Sequence, residues 1–372
     1  MPPVSLYIHI PFCMHKCPYC GFFSVEREGK DILRYIQAVL DETACEKGTR
    51  FTTIYIGGGT PTSLDKEELD LLLKGIARIH ALDSVREYTV EANPGTLDGE
   101  KLDILLSHGV DRVSIGCQSF NDDVLDFLGR IHSSEDSRSA VDQARASGFA
   151  DISIDIIYGI PGQTAEETVR DAEEACRLEP EHISCYQLSA EPGTSMYRDI
   201  QKGKYALPDQ DTAFGMDKRL QDVFEKNGYT RYEVSNYARA GHESVHNTLC
   251  WEGYEYAAAG AGAVSMRGEV RTKRVENIPV YTESSPDKPE IFEYSECVHG
   301  PVRRRELFMT GLRTAKGIPN SRFFEQTGIP LSDYAKVFEP LVSAGYVEYS
   351  HEHVKCTKKG LQVLNEILME LF

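Results

Sequence analysis

The 372-residue chain has one tryptophan, no apolar run near the ~20 residues a membrane helix needs, and far less basic than acidic charge. With 40 Lys and Arg against 58 Asp and Glu, the net charge is −18. That excess disfavours a chain that coats nucleic-acid phosphates or anionic lipid, so no nucleic-acid partner and no transmembrane segment are expected. The opening residues, MPPVSLYIHIPF, lack the basic-then-apolar layout of a signal peptide, and a cytoplasmic protein is expected. The dinucleotide fingerprint Gly-x-Gly-x-x-Gly is also missing after the first predicted strand, where cysteines stand instead. The composition is 41% hydrophobic and 26% charged, which excludes global disorder and fibrous repeats. The length suits a large domain plus an accessory one.

What is present is an alternation. Strands are predicted at Val4 to Ile10, Thr53 to Ile56, Tyr88 to Glu91, Arg112 to Gly116, Ile152 to Ile157 and His182 to Leu188, with amphipathic helical stretches between them. Six strand–helix alternations in about 200 residues predict a parallel sheet with crossover helices. Six units fall short of the eight of a closed barrel, so the expected fold is α/β, a partial (βα)6 TIM-like barrel. From about residue 197 the pattern loosens: a helix is plain over Asp209 to Lys226, while Ser235 to Arg239 and Ala257 to Ala263 read as loops. After an exposed connection near Glu283 to Glu290 come three helices, a short strand pair and a closing helix over Gly360 to Leu371, a winged-helix-like α+β module. Residues 301–372 hold 10 basic and 8 acidic side chains, and a net of +2 argues for a protein-contact or lid module rather than a DNA-binding one. The expected organisation is 1–195 for the barrel, 196–296 for its extension and ligand-facing loops, and 297–372 for the C-terminal module.

Ten cysteines are unevenly placed. Seven are scattered, as small buried hydrophobes are, but Cys13, Cys17 and Cys20 form C-x3-C-x2-C directly after the first strand. Three thiolates on one tight loop can hold three irons of a [4Fe–4S] cluster, leaving the fourth iron open to a small ligand. A structural zinc with His9 or His15 as fourth ligand is the competing reading, but no second cysteine pair lies downstream to complete the usual zinc spacing. Gly58 to Thr60, Glu91 and Gln118 are predicted just past strand carboxyl ends, the rim where parallel barrels build their sites. There the glycines would let backbone approach a ligand, Glu91 could receive an ammonium or ribose hydroxyl, and Arg130 could fork onto a carboxylate.

The cysteine loop, with Tyr19 before its last cysteine, resembles the radical S-adenosylmethionine (SAM) superfamily. Further blocks are Leu6-Tyr7-Ile8-His9-Ile10-Pro11-Phe12-Cys13, Gly57-Gly58-Gly59-Thr60-Pro61-Thr62 and Glu91-Ala92-Asn93-Pro94. They continue in Gly116-Cys117-Gln118-Ser119-Phe120, Leu128-Gly129-Arg130-Ile131-His132 and Asp155-Ile156-Ile157-Tyr158-Gly159. In this order, over nearly the whole chain, they resemble the oxygen-independent coproporphyrinogen III oxidase family. The resemblance implies that Cys13, Cys17 and Cys20 hold the cluster, and that Tyr7, Tyr19, Gly58, Gly59, Thr60, Glu91, Gln118, Arg130 and Asp155 line the SAM site.

The decarboxylating members add a cysteine two residues after the third and an N-terminal extension; here Phe22 stands at that position and the first strand begins near residue 4. The chain is more similar to the HemW-type haem-chaperone branch, which implies haem as ligand and a haem-acceptor protein as partner. That branch shows an H-N-x-x-Y-W block, matched by His246-Asn247-Thr248-Leu249-Cys250-Trp251 with Cys250 in place of tyrosine, and its Gly-Ala-His ends here as Gly262-Ala263-Val264. A neutral His246 imidazole is the candidate axial ligand of haem iron, with Cys250 and His242 as competitors and Trp251 as a flat apolar face. The alternatives are radical decarboxylation of coproporphyrinogen III, an oxidoreductase activity, and a radical SAM methyltransferase or ring-opening enzyme acting on a tetrapyrrole.

Overall fold

The computed structural model describes residues 2–371. The sequence alternation folds into strands β1 (Val4–Ile10), β2 (Thr53–Gly58), β3 (Glu87–Ala92), β4 (Arg112–Gln118), β5 (Asp151–Tyr158) and β6 (His182–Gln187). Neighbours in this series pair parallel, in chain order. The strands read as nearly continuous burial, as expected when helices cover one face and a closed interior the other. The crossover helices start where the side chains dictate. Asp65 with Glu68, Ser133 with Asp136 and Thr164 with Glu167 form reciprocal caps that satisfy the first free backbone N–H groups.

Two segments read as loops are strands. Thr230–Arg231 (β7) and Asn236–Ala238 (β8) form a short antiparallel edge on β6, and Glu255–Ala259 (β9) pairs parallel with β1 on its other side. Val264–Arg267 (β10), Val270–Arg274 (β11) and Phe292–Cys297 (β12) then extend the sheet antiparallel. Among the described residues one sheet holds twelve strands in the order 12-11-10-9-1-2-3-4-5-6-8-7. The six-unit partial barrel is therefore present, with a seventh parallel strand beside β1. The small residues of Ala257-Ala258-Ala259 hid it, because alanine carries little strand preference.

Helix Val245–Trp251 lies against the first residues of β2 and β3, through Thr53 and Glu87. The buried Glu87 carboxylate, on the first residue of β3, accepts from the Ser244 hydroxyl (3.0 Å) and the N–H groups of Val245 (2.7 Å) and His246 (2.9 Å), an anion set on a helix N-terminus. The C-terminal part has its own core around Phe308, Phe323 and Phe338. Helices Gly300–Gly311, Asn320–Thr327 and Ala335–Ser343 precede the antiparallel pair Val347–Tyr349 and His353–Cys356, to which Ile318–Pro319 adds a third strand. The closing helix is broken into Lys358–Leu361 and Leu364–Glu370. Among the described residues no helix is long and apolar enough to cross a membrane.

Candidate functional site

β1 delivers the chain to the cysteine loop at the carboxyl-end rim. Phe12–Cys13 pairs briefly with Val25–Glu26 and closes the loop at its base. The three thiols are free and half-buried. Cys13 Sγ accepts from the Thr60 hydroxyl (3.6 Å) and Cys17 Sγ from Arg130 Nη1 (3.5 Å). Burial raises the Cys13 and Cys20 thiols above their ordinary pKa, so a cation is needed to hold them as thiolates. Among the described residues no three His, Cys, Asp or Glu side chains converge closely enough to share one metal ion. His9 is spent elsewhere, donating from Nε2 to the Phe23 carbonyl (2.8 Å) and accepting at Nδ1 from Tyr7 (2.9 Å), while His15 pairs with Glu26 (3.4 Å) at the surface.

Tyr19, Gly58, Gly59, Thr60, Glu91, Gln118, Arg130 and Asp155 line one cavity of about 620 Å³ that opens beside Cys20. Its shape depends on missing side chains. A Cβ on Gly57 would lie 2.7 Å from the Glu91 carboxylate, and one on Gly59 would meet the Phe12 carbonyl at 2.8 Å and Cys13 Sγ at 3.0 Å. Gly58, at φ +115°, turns its N–H onto Glu91 (3.0 Å), which also accepts from the Tyr55 hydroxyl (2.8 Å). Burial nevertheless raises Glu91 to about 7, and a bound ammonium would draw it back to the carboxylate form. Arg130 donates to the Gly116 carbonyl (2.9 Å) and keeps its buried Nε without a partner, a donor left for a ligand. Gln118 holds φ +67°, a conformation a non-glycine residue adopts at a cost of order 1 kcal/mol, and β4 breaks register there. Asp155 sits deeper, accepting from the Ser114 hydroxyl (3.3 Å), with burial raising its pKa.

Tyr7 is the exception. It lines a second hollow of about 370 Å³ along β1 and β9, together with His246, Cys250 and Tyr256. His246 is in a helix, not a loop, and is buried. The Thr53 hydroxyl donates to Ser5 Oγ (2.9 Å), so its oxygen accepts from His246 Nδ1–H (2.9 Å), and Nε2 carries the lone pair. Burial lowers His246 to about 4, which keeps the imidazole neutral. Burial raises the Cys250 thiol to about 12, so it is a poor thiolate donor. His242 is tied to Asp151 (3.1 Å), and Trp251 is not among the residues lining either hollow.

Several cavity residues escaped the motif reading. Asn93, whose buried Oδ1 lacks a partner, lies inside the Glu-Ala-Asn-Pro block. Tyr55, Arg112, His182 and Tyr186 also line the cavity and were findable from two-residue alternation along their strands.

Loss of the glycine cradle gives a direct test. Gly59→Ala is expected to push the cysteine loop outward, so that anaerobic reconstitution loads well under half the wild-type iron per chain while the far-ultraviolet spectrum is unchanged.

Residues 7–175 match the Radical SAM superfamily and residues 298–363 the HemN C-terminal domain. The chain is 37% identical to "Heme chaperone HemW" of Bacillus subtilis (strain 168), covering 98% of this chain and 97% of that one. It is 32% identical to the protein of the same name from Escherichia coli (strain K12), covering 100% and 98%. In fold it is similar to coproporphyrinogen III oxidase (HemN) from Escherichia coli, with a TM-score of 0.84 over 99% of this chain and 90% of that one at 23% identity.

Proposed function

The chain belongs to the HemW family of the radical SAM superfamily, and on that premise we propose that it is a haem chaperone, carrying a [4Fe–4S] cluster and SAM, that hands haem to an acceptor protein. Cys13, Cys17 and Cys20 would ligate the cluster, whose open iron, when present, supplies an anchor for the SAM amino and carboxylate groups. Glu91 and the unpartnered Nε of Arg130 orient that ligand, while Gly58 and Gly59 let it approach the backbone. Haem would be held by His246. The observation that supports this reading is the His246 imidazole itself, kept neutral by burial, fixed through Nδ1 on Thr53, and lining a hollow that Gly21 and Phe22 of the cysteine loop also line. We keep the division into 1–195, 196–296 and 297–372, the cytoplasmic setting and the acceptor as parts of this proposal.

The proposal is tested by mixing haem-loaded protein with a haem-free acceptor and, in parallel, supplying coproporphyrinogen III anaerobically with SAM and a reductant. Haem transfer without carbon dioxide release is expected. Release of the propionate carboxyls as carbon dioxide, without transfer, would replace the chaperone by the decarboxylase.

A pH dependence follows. Protons compete with iron for His246, and its folded-state value of about 4 means haem affinity should be flat from neutral pH to about pH 5 and fall below that. Stability behaves differently. The unfolded histidine takes up a proton near its ordinary 6.5 and the buried one refuses it, so stability falls as the pH drops through that range. Soret titrations and thermal melts at stepped pH separate the two; haem loss centred near pH 6.5 would point to an exposed histidine as ligand.

A further inference from the structure

We propose that haem and SAM occupy separate hollows sharing one wall, and that Phe22, on the cysteine loop, covers the haem on the cluster side. This rests on the haem reading above and adds where the two ligands lie relative to each other.

The two hollows, of about 620 and 370 Å³, are neighbours, and Gly21 and Phe22 line both. The partition between them is a pair of rings. Tyr55 faces the larger hollow and Tyr7 the smaller, stacked at 6.2 Å with planes 28° apart. Each ring is pinned by its hydroxyl, Tyr55 on Glu91 (2.8 Å) and Tyr7 on His9 (2.9 Å). His246 packs against Tyr55 with ring centroids 4.9 Å apart, yet it lines the smaller hollow and not the larger one. A ligand on His246 therefore lies on the opposite side of the partition from Glu91, Gln118 and Arg130.

Phe22 and Phe23 differ in a way that suits a flat apolar ligand. Phe23 is fixed: its ring stacks on His9 at 6.2 Å, its carbonyl accepts from His9 Nε2 (2.8 Å), and a Cβ on Gly262 would lie 3.1 Å from it. Phe22 is 71% exposed, a large apolar face left in water at the lip of both hollows. Tyr256 stands in the same small hollow. A macrocycle bound through His246 would bury the Phe22 ring, and the hydrophobic gain from that burial is absent without the ligand.

The test is a haem titration of cluster-loaded protein under non-reducing conditions, read at the Soret band with and without saturating SAM, for wild type, Phe22→Ala and Phe22→Trp. SAM should change the wild-type Kd by no more than about twofold, whereas Phe22→Ala should weaken haem about tenfold and Phe22→Trp restore it, all at equal iron content. A haem Kd that rises in proportion to SAM concentration, or one unmoved by Phe22→Ala, overturns the shared-wall arrangement and leaves the chaperone reading standing. If Phe22→Ala loses iron, the SAM arm decides alone. Wild-type protein with no saturable haem binding overturns both.

Discussion

Replacing Cys13, Cys17 and Cys20 together by alanine should reduce iron from about four per chain after anaerobic reconstitution to near zero, and abolish SAM binding with it. The three thiols sit on one loop whose base is closed by the Phe12–Cys13 pairing, and two of them accept from Thr60 and Arg130 on other elements. The backbone pairing at the base survives alanine and the two bonds to sulfur do not, so thermal stability of the unloaded protein should fall only modestly, by about 1 kcal/mol per lost bond. Single substitutions separate the roles. Cys17→Ala also removes the acceptor of Arg130 Nη1, and Arg130 already has an unpartnered Nε, so SAM binding should suffer beyond the loss of one proposed iron ligand. Iron and sulfide analysis with equilibrium dialysis of SAM checks both. A triple variant that kept half its iron would place the cluster elsewhere.

Much of this centre was legible in sequence because its chemistry is local. C-x3-C-x2-C falls on one loop, and Gly57 to Thr60 and Glu91 each end a strand whose apolar run gave it away. The six parallel strands were legible for the same reason. What escaped depends on pairing across the chain. β9 is a run of alanines that becomes a strand only by lying against β1, and β8 only by lying against β6. Helix Val245–Trp251, which carries His246, is not legible in sequence because it is seven residues long and is stabilised by Glu87, 159 positions away in sequence from His246. Tyr7 was assigned to the SAM site with its neighbours, but nothing in the sequence shows that its ring stacks on Tyr55 and faces the other hollow. Asp155 is placed at the SAM site by the resemblance alone, since an acid inside a strand pairs as readily with a core partner; in the structure it lines the larger cavity.

The second large effect concerns haem. His246→Ala should weaken haem binding on the order of a hundredfold or more and shift the Soret band, since it removes the proposed axial imidazole. It also leaves the Thr53 oxygen without its donor and empties space beside Tyr55, so a loss of stability of about 1–3 kcal/mol accompanies it. Thr53→Val separates ligation from packing. It keeps the ring but removes the group that fixes its tautomer, and should cost about tenfold in haem affinity, as loss of a ligand's supporting hydrogen bond commonly does. Cys250→Ser should leave the spectrum unchanged, because a thiol held to about 12 by burial does not compete as thiolate.

The central claim is that this radical SAM chain binds haem at one defined site. The most direct measurement is an anaerobic Soret titration of the cluster-loaded wild-type protein with haem, beside His246→Ala. Saturation at one haem per chain, with the band altered and the affinity lost in the variant, is the predicted result. Linear, unsaturable uptake that is the same in both proteins would contradict it.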